Sequence, residues 1–272
     1  MTVDKPFANC ARVAICAADP YIGLVQALLN QRVESRSQYC RNSNFDQSWQ
    51  AFQFVFLGEE IANDPDLILY LVDADDNAFD AFIAECKPLG KEQIGVFLVY
   101  AVTGKLSLSK TDRIFDVLSR RGFMPVFVFG ESKPDATNEL FLALWSITGP
   151  ILMPGLIGVD FQDISVPIQK TGCVGYYGHG SASGEERARV AAEQALAQCR
   201  NAAGVDFDRA VSCLATVLSD VILSLDEYST AAEIIWRMIP NREIDMVIPT
   251  VIDHWLNEKL DIGLIVFFDR TN

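Results

Sequence analysis

The feature that most constrains this chain is a rhythm in its first half. Short, nearly uninterrupted apolar runs at 12–17, 53–57, 67–72, 95–102 and 125–129 are separated by stretches with helical spacing at 22–32, 79–87 and 111–121. A strand that is apolar on both faces has to be covered on both faces, and helices placed between such strands do the covering. The pattern therefore predicts an α/β architecture with a mostly parallel sheet. The helix over 111–121 has a capping-box start signal in Ser109-Lys-Thr-Asp112.

The second half reads differently. Residues 137–151 form an apolar helix with little polar face (Leu140, Phe141, Leu142, Leu144, Trp145, Ile147), the pattern of a helix buried between two layers. Gly149-Pro150 predicts its end, and Pro154-Gly155 a second stop. Beyond it come a short strand over 172–178 and an alanine-rich helix over 183–200, opened by the box Ser183-Gly-Glu-Glu186. A strand follows over 211–219, then a helix over 227–239 behind the box Ser224-Leu-Asp-Glu227, then strands over 246–252 and 261–268. The expected organisation is a Rossmann-like domain over 1–136, a central buried helix and connection over 137–155, and a smaller α+β domain over 156–272.

Charge and composition exclude several functions. With 22 Lys and Arg against 36 Asp and Glu, the net charge of −14 repels phosphate backbones and anionic lipid, so neither nucleic acid nor a direct membrane anchor is expected. The longest apolar runs are strand-sized, far short of the ~18 residues of a spanning helix, and no secretory signal opens the chain. Seven cysteines, an odd number with no C-x-x-C pair, predict free thiols and a cytoplasmic protein. Two histidines and no zinc spacing leave no assigned metal site. There is no G-x-S-x-G, and Gly104-Lys105 lacks the upstream glycine and the Ser/Thr of a phosphate loop.

The joint between the halves carries a family pattern. Pro154-Gly-Leu-Ile-Gly-Val-Asp-Phe-Gln-Asp163 is followed by Gly175-Tyr-Tyr-Gly-His-Gly-Ser-Ala-Ser-Gly-Glu-Glu-Arg-Ala188. Leu223-Ser-Leu-Asp-Glu-Tyr228, Ala231-Ala-Glu-Ile-Ile235 and Val251-Ile-Asp253 then follow in order. Over 137–268 this resembles FtsZ, the bacterial tubulin homologue of the division ring; over 1–136 the resemblance is one of element order. It implies a tubulin/FtsZ-like fold. Read alone, Gly178, Gly180 and Gly184 make a tight strand-to-helix turn capped by Ser183, and the resemblance agrees that this turn holds no nucleotide. Read alone, Asp160 and Asp163 are loop carboxylates of the kind that cap turns.

The resemblance implies a GTPase that hydrolyses between subunits, through a longitudinal interface with FtsZ or with a second copy. Asp160 and Asp163 match the acids that act in trans on a neighbour's nucleotide, while Gly158 replaces the family's asparagine. The two glycine-rich phosphate loops are missing. Phosphates need backbone N–H groups at close approach, which glycine allows. Here the first loop is Ala18-Asp-Pro-Tyr-Ile22 with a single Gly23, and the second is Asp73-Ala-Asp-Asp-Asn-Ala-Phe-Asp80. Like charges ~4 Å apart repel by about 4 kcal/mol at an effective dielectric near 20, so four carboxylates disfavour a triphosphate. That loop reads as a solvated acidic turn or as an oxygen-ligand site for Mg²⁺ or Ca²⁺.

Arg113, Asn138 and Glu139 match residual nucleotide-binding positions, with Ser109 and Pro134 replacing other contacts. In the alternative, Asn138 and Glu139 are first-turn residues favoured by the helix dipole. The expectation is a pseudo-GTPase that associates with FtsZ filaments and modulates them. A divergent GTPase that uses GTP and Mg²⁺, and a homodimeric scaffold, are the rivals.

Overall fold

The computed structural model describes residues 12–17, 23, 25, 27, 28, 52–56, 61 and 64–270, except 104, 105, 154, 171, 205, 221, 222 and 242. The five apolar runs of the first half are strands: β1 (Val13–Ala17), β2 (Phe52–Phe56), β3 (Leu67–Asp73), β4 (Ile94–Val102) and β5 (Met124–Gly130). All pair in parallel, in the order β2-β1-β3-β4-β5. Between them lie α1 (Asp76–Glu85) and α2 (Leu108–Ser119). Of the helix expected over 22–32, Gly23, Val25, Ala27 and Leu28 are helical, and the rest lies outside the described residues. The cap of α2 is Ser107 rather than Ser109. The Ser107 hydroxyl accepts from Lys110 N at 3.3 Å, and Ser109 already stands inside the helix.

The central helix, α3 (Lys133–Leu152), begins before the expected Thr137 and does not stop at Gly149-Pro150. Proline inside a helix leaves the carbonyl four residues back without its donor. That carbonyl belongs to Ser146, and the Thr216 hydroxyl of a neighbouring strand donates to it at 2.6 Å. A tertiary hydrogen bond thus replaces the missing one, and the helix runs on with 143–150 buried.

The remaining elements are α4 (Phe161–Ile168), β6 (Cys173–Ala182), α5 (Arg187–Ala203), β7 (Ala210–Ser219), α6 (Leu225–Met238), β8 (Asp245–Val247), β9 (Thr250–Ile252) and β10 (Leu260–Asp269). β10 runs antiparallel between β6 and β7. β5 and β6 pair through Val126↔Gly175 and Phe127↔Tyr176, which joins the two halves in one sheet.

Three local expectations need correction. Gly178 and Gly180 are strand residues of β6. A Cβ at Gly180 would stand 1.9 Å from Ala191 O, and one at Gly178 2.3 Å from Ala195 O, so these glycines let α5 lie close on the strand. The turn belongs to Gly184 alone, at φ +87°. The Ser183 box does not form, because β6 extends to Ala182 and α5 starts only at Arg187, its cap Glu186 making no side-chain bond. The single strand over 246–252 is two strands, split at Ile248-Pro249, where Pro249 O accepts from Val217 N at 2.9 Å. The Ser224 box does form: Ser224 Oγ accepts from Glu227 N at 3.2 Å, and Glu227 Oε2 accepts from Ser224 N at 2.9 Å.

Strand alternation sorts the core into two layers. One layer holds Ile68, Tyr70 and Val72 with Phe79 and Phe82 of α1, Ile114 and Leu118 of α2, and, farther along the sheet, the alanine face of α5 with Ile235 of α6. The other layer holds Leu67, Leu69 and Leu71 with Val25, with Leu140, Leu144 and Trp145 of α3, and, farther along the sheet, with Ile164 and Ile168 of α4. Cys16, Cys86, Cys173, Cys199 and Cys213 are buried free thiols, and burial pushes Cys199 up to about 12; Cys10 and Cys40 lie outside the described residues. Among the described residues, no helix is long and apolar enough to cross a membrane.

Candidate functional site

The chemistry-bearing residues gather at three places. The first is the head of α1, at the acidic stretch Asp73–Asp80. Asp75 caps the helix, its Oδ1 accepting from Asn77 N at 3.2 Å, and Asp73 Oδ1 accepts from Asp75 N at 2.9 Å. These N–H groups are the donors a helix start offers to an anion. Side-chain carboxylates of the same loop already take them. Asp80 accepts from Arg113 Nη2 with both oxygens, at 2.5 and 2.6 Å. The cation expected to face a nucleotide is therefore engaged with the second turn of α1. Among the described residues, no group of three or more His, Cys, Asp or Glu side chains is arranged to hold a metal ion. The first loop, 18–22, lies outside the described residues, and Gly23 is exposed.

The second place is a cleft of about 980 Å³ at the N-terminal end of α3, walled by the α2 approach, the end of β5, β6 and α5. Asn138 and Glu139 both line it. Asn138 is exposed, whereas Glu139 Oε2 is buried and has no hydrogen-bond partner. Burial pushes the Glu139 carboxyl above its usual range, opposed by His179 and by Gln198. Tyr177 and His179 stand two apart on β6, on the face that packs against α3. Tyr177 is buried beside Ser146 of α3, and His179 Nε2 lies 3.4 Å from Asp261 Oδ2 on β10.

Sequence reasoning missed Tyr177, His179 and Asp261, because β6 and β10 come together only through strand pairing. Two signals were present: a histidine in a chain with two, and an acid set among the apolar residues of β10.

The third place is α4. Asp163 N donates to Asp160 Oδ1 at 2.9 Å and Asp160 N donates to Asp163 Oδ2 at 3.0 Å, a reciprocal capping box. Each carboxylate uses one oxygen for the cap and stays exposed. The preceding loop is pinned where Ile157 N donates to Thr250 Oγ1 at 2.8 Å and where Gly155 approaches the Thr250 backbone too closely for a Cβ. Leu156 and Ile157 are exposed beside the acids, 48% and 36%, and Gly158 faces open space.

The 20 residues of α3 separate the cleft from the acids of α4, a span of ~30 Å. Asn138 and Glu139 at one end of the helix and Asp160 and Asp163 at the other are therefore not parts of one site in one molecule.

Comparison with known proteins follows this geometry. No protein-family model matches the chain. The cell division protein FtsZ of Coxiella burnetii is 34% identical over 131 residues, covering 48% of this chain and 33% of that protein. The cell division protein FtsZ of Buchnera aphidicola subsp. Schizaphis graminum is 31% identical over 177 residues, covering 62% of this chain and 44% of that protein. The chain thus spans less than half the length of these curated relatives. Among solved structures, an empty FtsZ dimer from M. jannaschii superposes with a TM-score of 0.70 at 16% identity, over 94% of this chain and 88% of that one. GDP-form protofilaments of TubZ from Bacillus thuringiensis serovar israelensis give 0.53 at 10% identity, over 95% and 86%. These likenesses show the fold.

Proposed function

We propose that this chain, a divergent FtsZ-like protein of the tubulin superfamily, is a pseudo-GTPase that joins FtsZ filaments in the cytoplasm and modulates their assembly or turnover. The observation that carries the reading is the asymmetry between its two ends. At the head of α1, Asp73 and Asp75 occupy donors that a phosphate would need, and Asp80 holds Arg113. At the far end of α3, Asp160 and Asp163 are fixed by their mutual cap and exposed. A subunit built this way offers acids to a neighbour's nucleotide while holding none of its own. It caps one end of a filament, because only one of its two longitudinal faces is competent.

The residual positions fit the same reading. Asn138 and Glu139 stay on the cleft wall, without a donor cradle to hold the phosphates of a nucleotide whose base they would meet. The part over 1–136 is then a degenerate GTPase-like domain, and the part over 156–272 carries the contact surface.

Co-sedimentation with FtsZ and GTP tests this. The chain is expected in the pellet, with a changed rate of GTP turnover. The pair Asp160→Asn and Asp163→Asn keeps the capping oxygens but removes both charges, and should leave binding in place while abolishing the effect on turnover. No co-sedimentation and no change in turnover would remove the proposal.

A further inference from the structure

The loop between α3 and α4 leads into the two acids of the proposed function, and over 156–158 burial of its side chains does little to hold it. Leu156 and Ile157 are 48% and 36% exposed, and a Cβ at Gly158 would meet nothing within 4 Å. One side chain of another element holds it instead. Thr250, the first residue of β9, is 2% exposed, and its hydroxyl serves both backbone groups of Ile157. It accepts from Ile157 N at 2.8 Å and donates to Ile157 O at 3.4 Å. Beside it the two main chains close in, since a Cβ at Gly155 would stand 2.1 Å from Thr250 O. Thr250 is itself fixed: β9 pairs in parallel with β7 through Val217↔Thr250, and Val217 N donates to Pro249 O at 2.9 Å. A β-branched side chain has few χ1 choices, so the hydroxyl is held about as firmly as the strand that carries it.

We propose that Thr250 is a positioning residue for the effect on filaments, an inference that rests on the filament reading: it sets where the acids stand before any partner arrives. Ile164 and Ile168 seat the body of α4 on the core, and the capping box fixes Asp160 and Asp163 relative to each other. Asp160 itself stands outside the helix, three residues after Ile157, so the approach to the box is left to the clamp. A carboxylate that acts across an interface works only from the right place, and in a step that depends on orientation a misplacement of ~1 Å can cost ~100-fold. A loop without the clamp would also have to be ordered at the moment of contact, at a cost in backbone entropy for each residue. A preset loop avoids both penalties. Thr250 is too deeply buried to touch a neighbour's nucleotide, and acts through Ile157.

Amide hydrogen exchange on the chain alone tests the clamp, and GTP turnover by FtsZ in its presence tests the consequence. Thr250→Val keeps the shape of the side chain and removes the hydroxyl. The Ile157 N–H should then exchange about tenfold faster, the scale of one lost hydrogen bond. The effect of the chain on FtsZ turnover should fall by a similar factor while co-sedimentation persists. Thr250→Ser keeps a hydroxyl and should preserve both readings. Thr216→Val removes another buried hydroxyl, one bonded to α3 and not to the loop, and should move neither. An Ile157 exchange rate unmoved by Thr250→Val overturns the clamp whatever FtsZ does. Faster exchange with the turnover effect intact, failure of Thr250→Ser to preserve it, or an equal loss with Thr216→Val overturns the positioning role. If the unmodified chain leaves turnover unchanged, the filament reading and the positioning role fall together, and exchange still decides the clamp. Should Thr250→Val fail to fold, Gly155→Ala, whose Cβ presses the loop off Thr250 O, takes its place with the same expected losses.

Discussion

At the scale of single residues, Pro150 and Thr216 show how one tertiary contact can overrule a local signal. Ser146 is 1% exposed, and its carbonyl has lost the helical N–H that any residue but proline would supply at position 150. Thr216→Val removes the substitute donor at 2.6 Å and should cost about 1–3 kcal/mol, the penalty of a buried acceptor left unmade. Pro150→Ala restores the N–H. In that background the same Thr216→Val change should cost clearly less, and a double-mutant cycle by chemical denaturation measures the difference. Equal costs in both backgrounds would disprove the compensation. Gly180 makes the complementary point: its role is space for Ala191 O, not the freedom of a turn.

At the scale of elements, α5 and α6 are tied at their starts by one ion pair. Arg187, 6% exposed, donates from Nε to Glu227 Oε1 at 2.6 Å, and the same carboxylate closes the Ser224 box. The Arg187 hydrogen bond holds the Glu227 carboxyl below its usual range, against the opposing effect of burial. A carboxyl lowered on folding stabilises the native state above its unfolded pKa, and loses that contribution as pH falls through the folded value. Glu227→Gln should therefore cost about 2 kcal/mol at neutral pH, with the deficit shrinking steadily as pH falls below the ordinary glutamate range. Thermal melts of both proteins across that range check the sign; a deficit independent of pH would refute it.

The sequence was legible where local and tertiary demands agree. The strands β1, β3, β4 and β5 are apolar on both faces because both are covered, and the Ser224 box works because a helix starts there. It was misleading where a distant element decides. The Ser183 box loses to ten residues of pairing between β6 and β10. The stop at Pro150 loses to Thr216. The candidate site divides in the same way. Asp160 and Asp163 were readable because they lie three apart in one motif, and Glu139 because it opens the central helix, whereas Tyr177, His179 and Asp261 sit on two strands that only the fold brings together with it.

At the scale of the whole molecule, α3 sets the distance between the two ends that the proposed function contrasts. The cleft and the acidic head of α1 belong to one side of the account, the capped acids of α4 to the other, and ~30 Å of helix lies between. A net charge of −14 adds a long-range penalty against any free triphosphate that lacks a local cradle to offset it. On the proposed reading, function depends on a second subunit supplying the nucleotide that Asp160 and Asp163 face.

Calorimetric titration of the purified chain with GTP, in the presence and absence of Mg²⁺, is the most direct measurement of that claim. No saturable binding in either condition is predicted; tight one-to-one binding, with or without the metal, would contradict it.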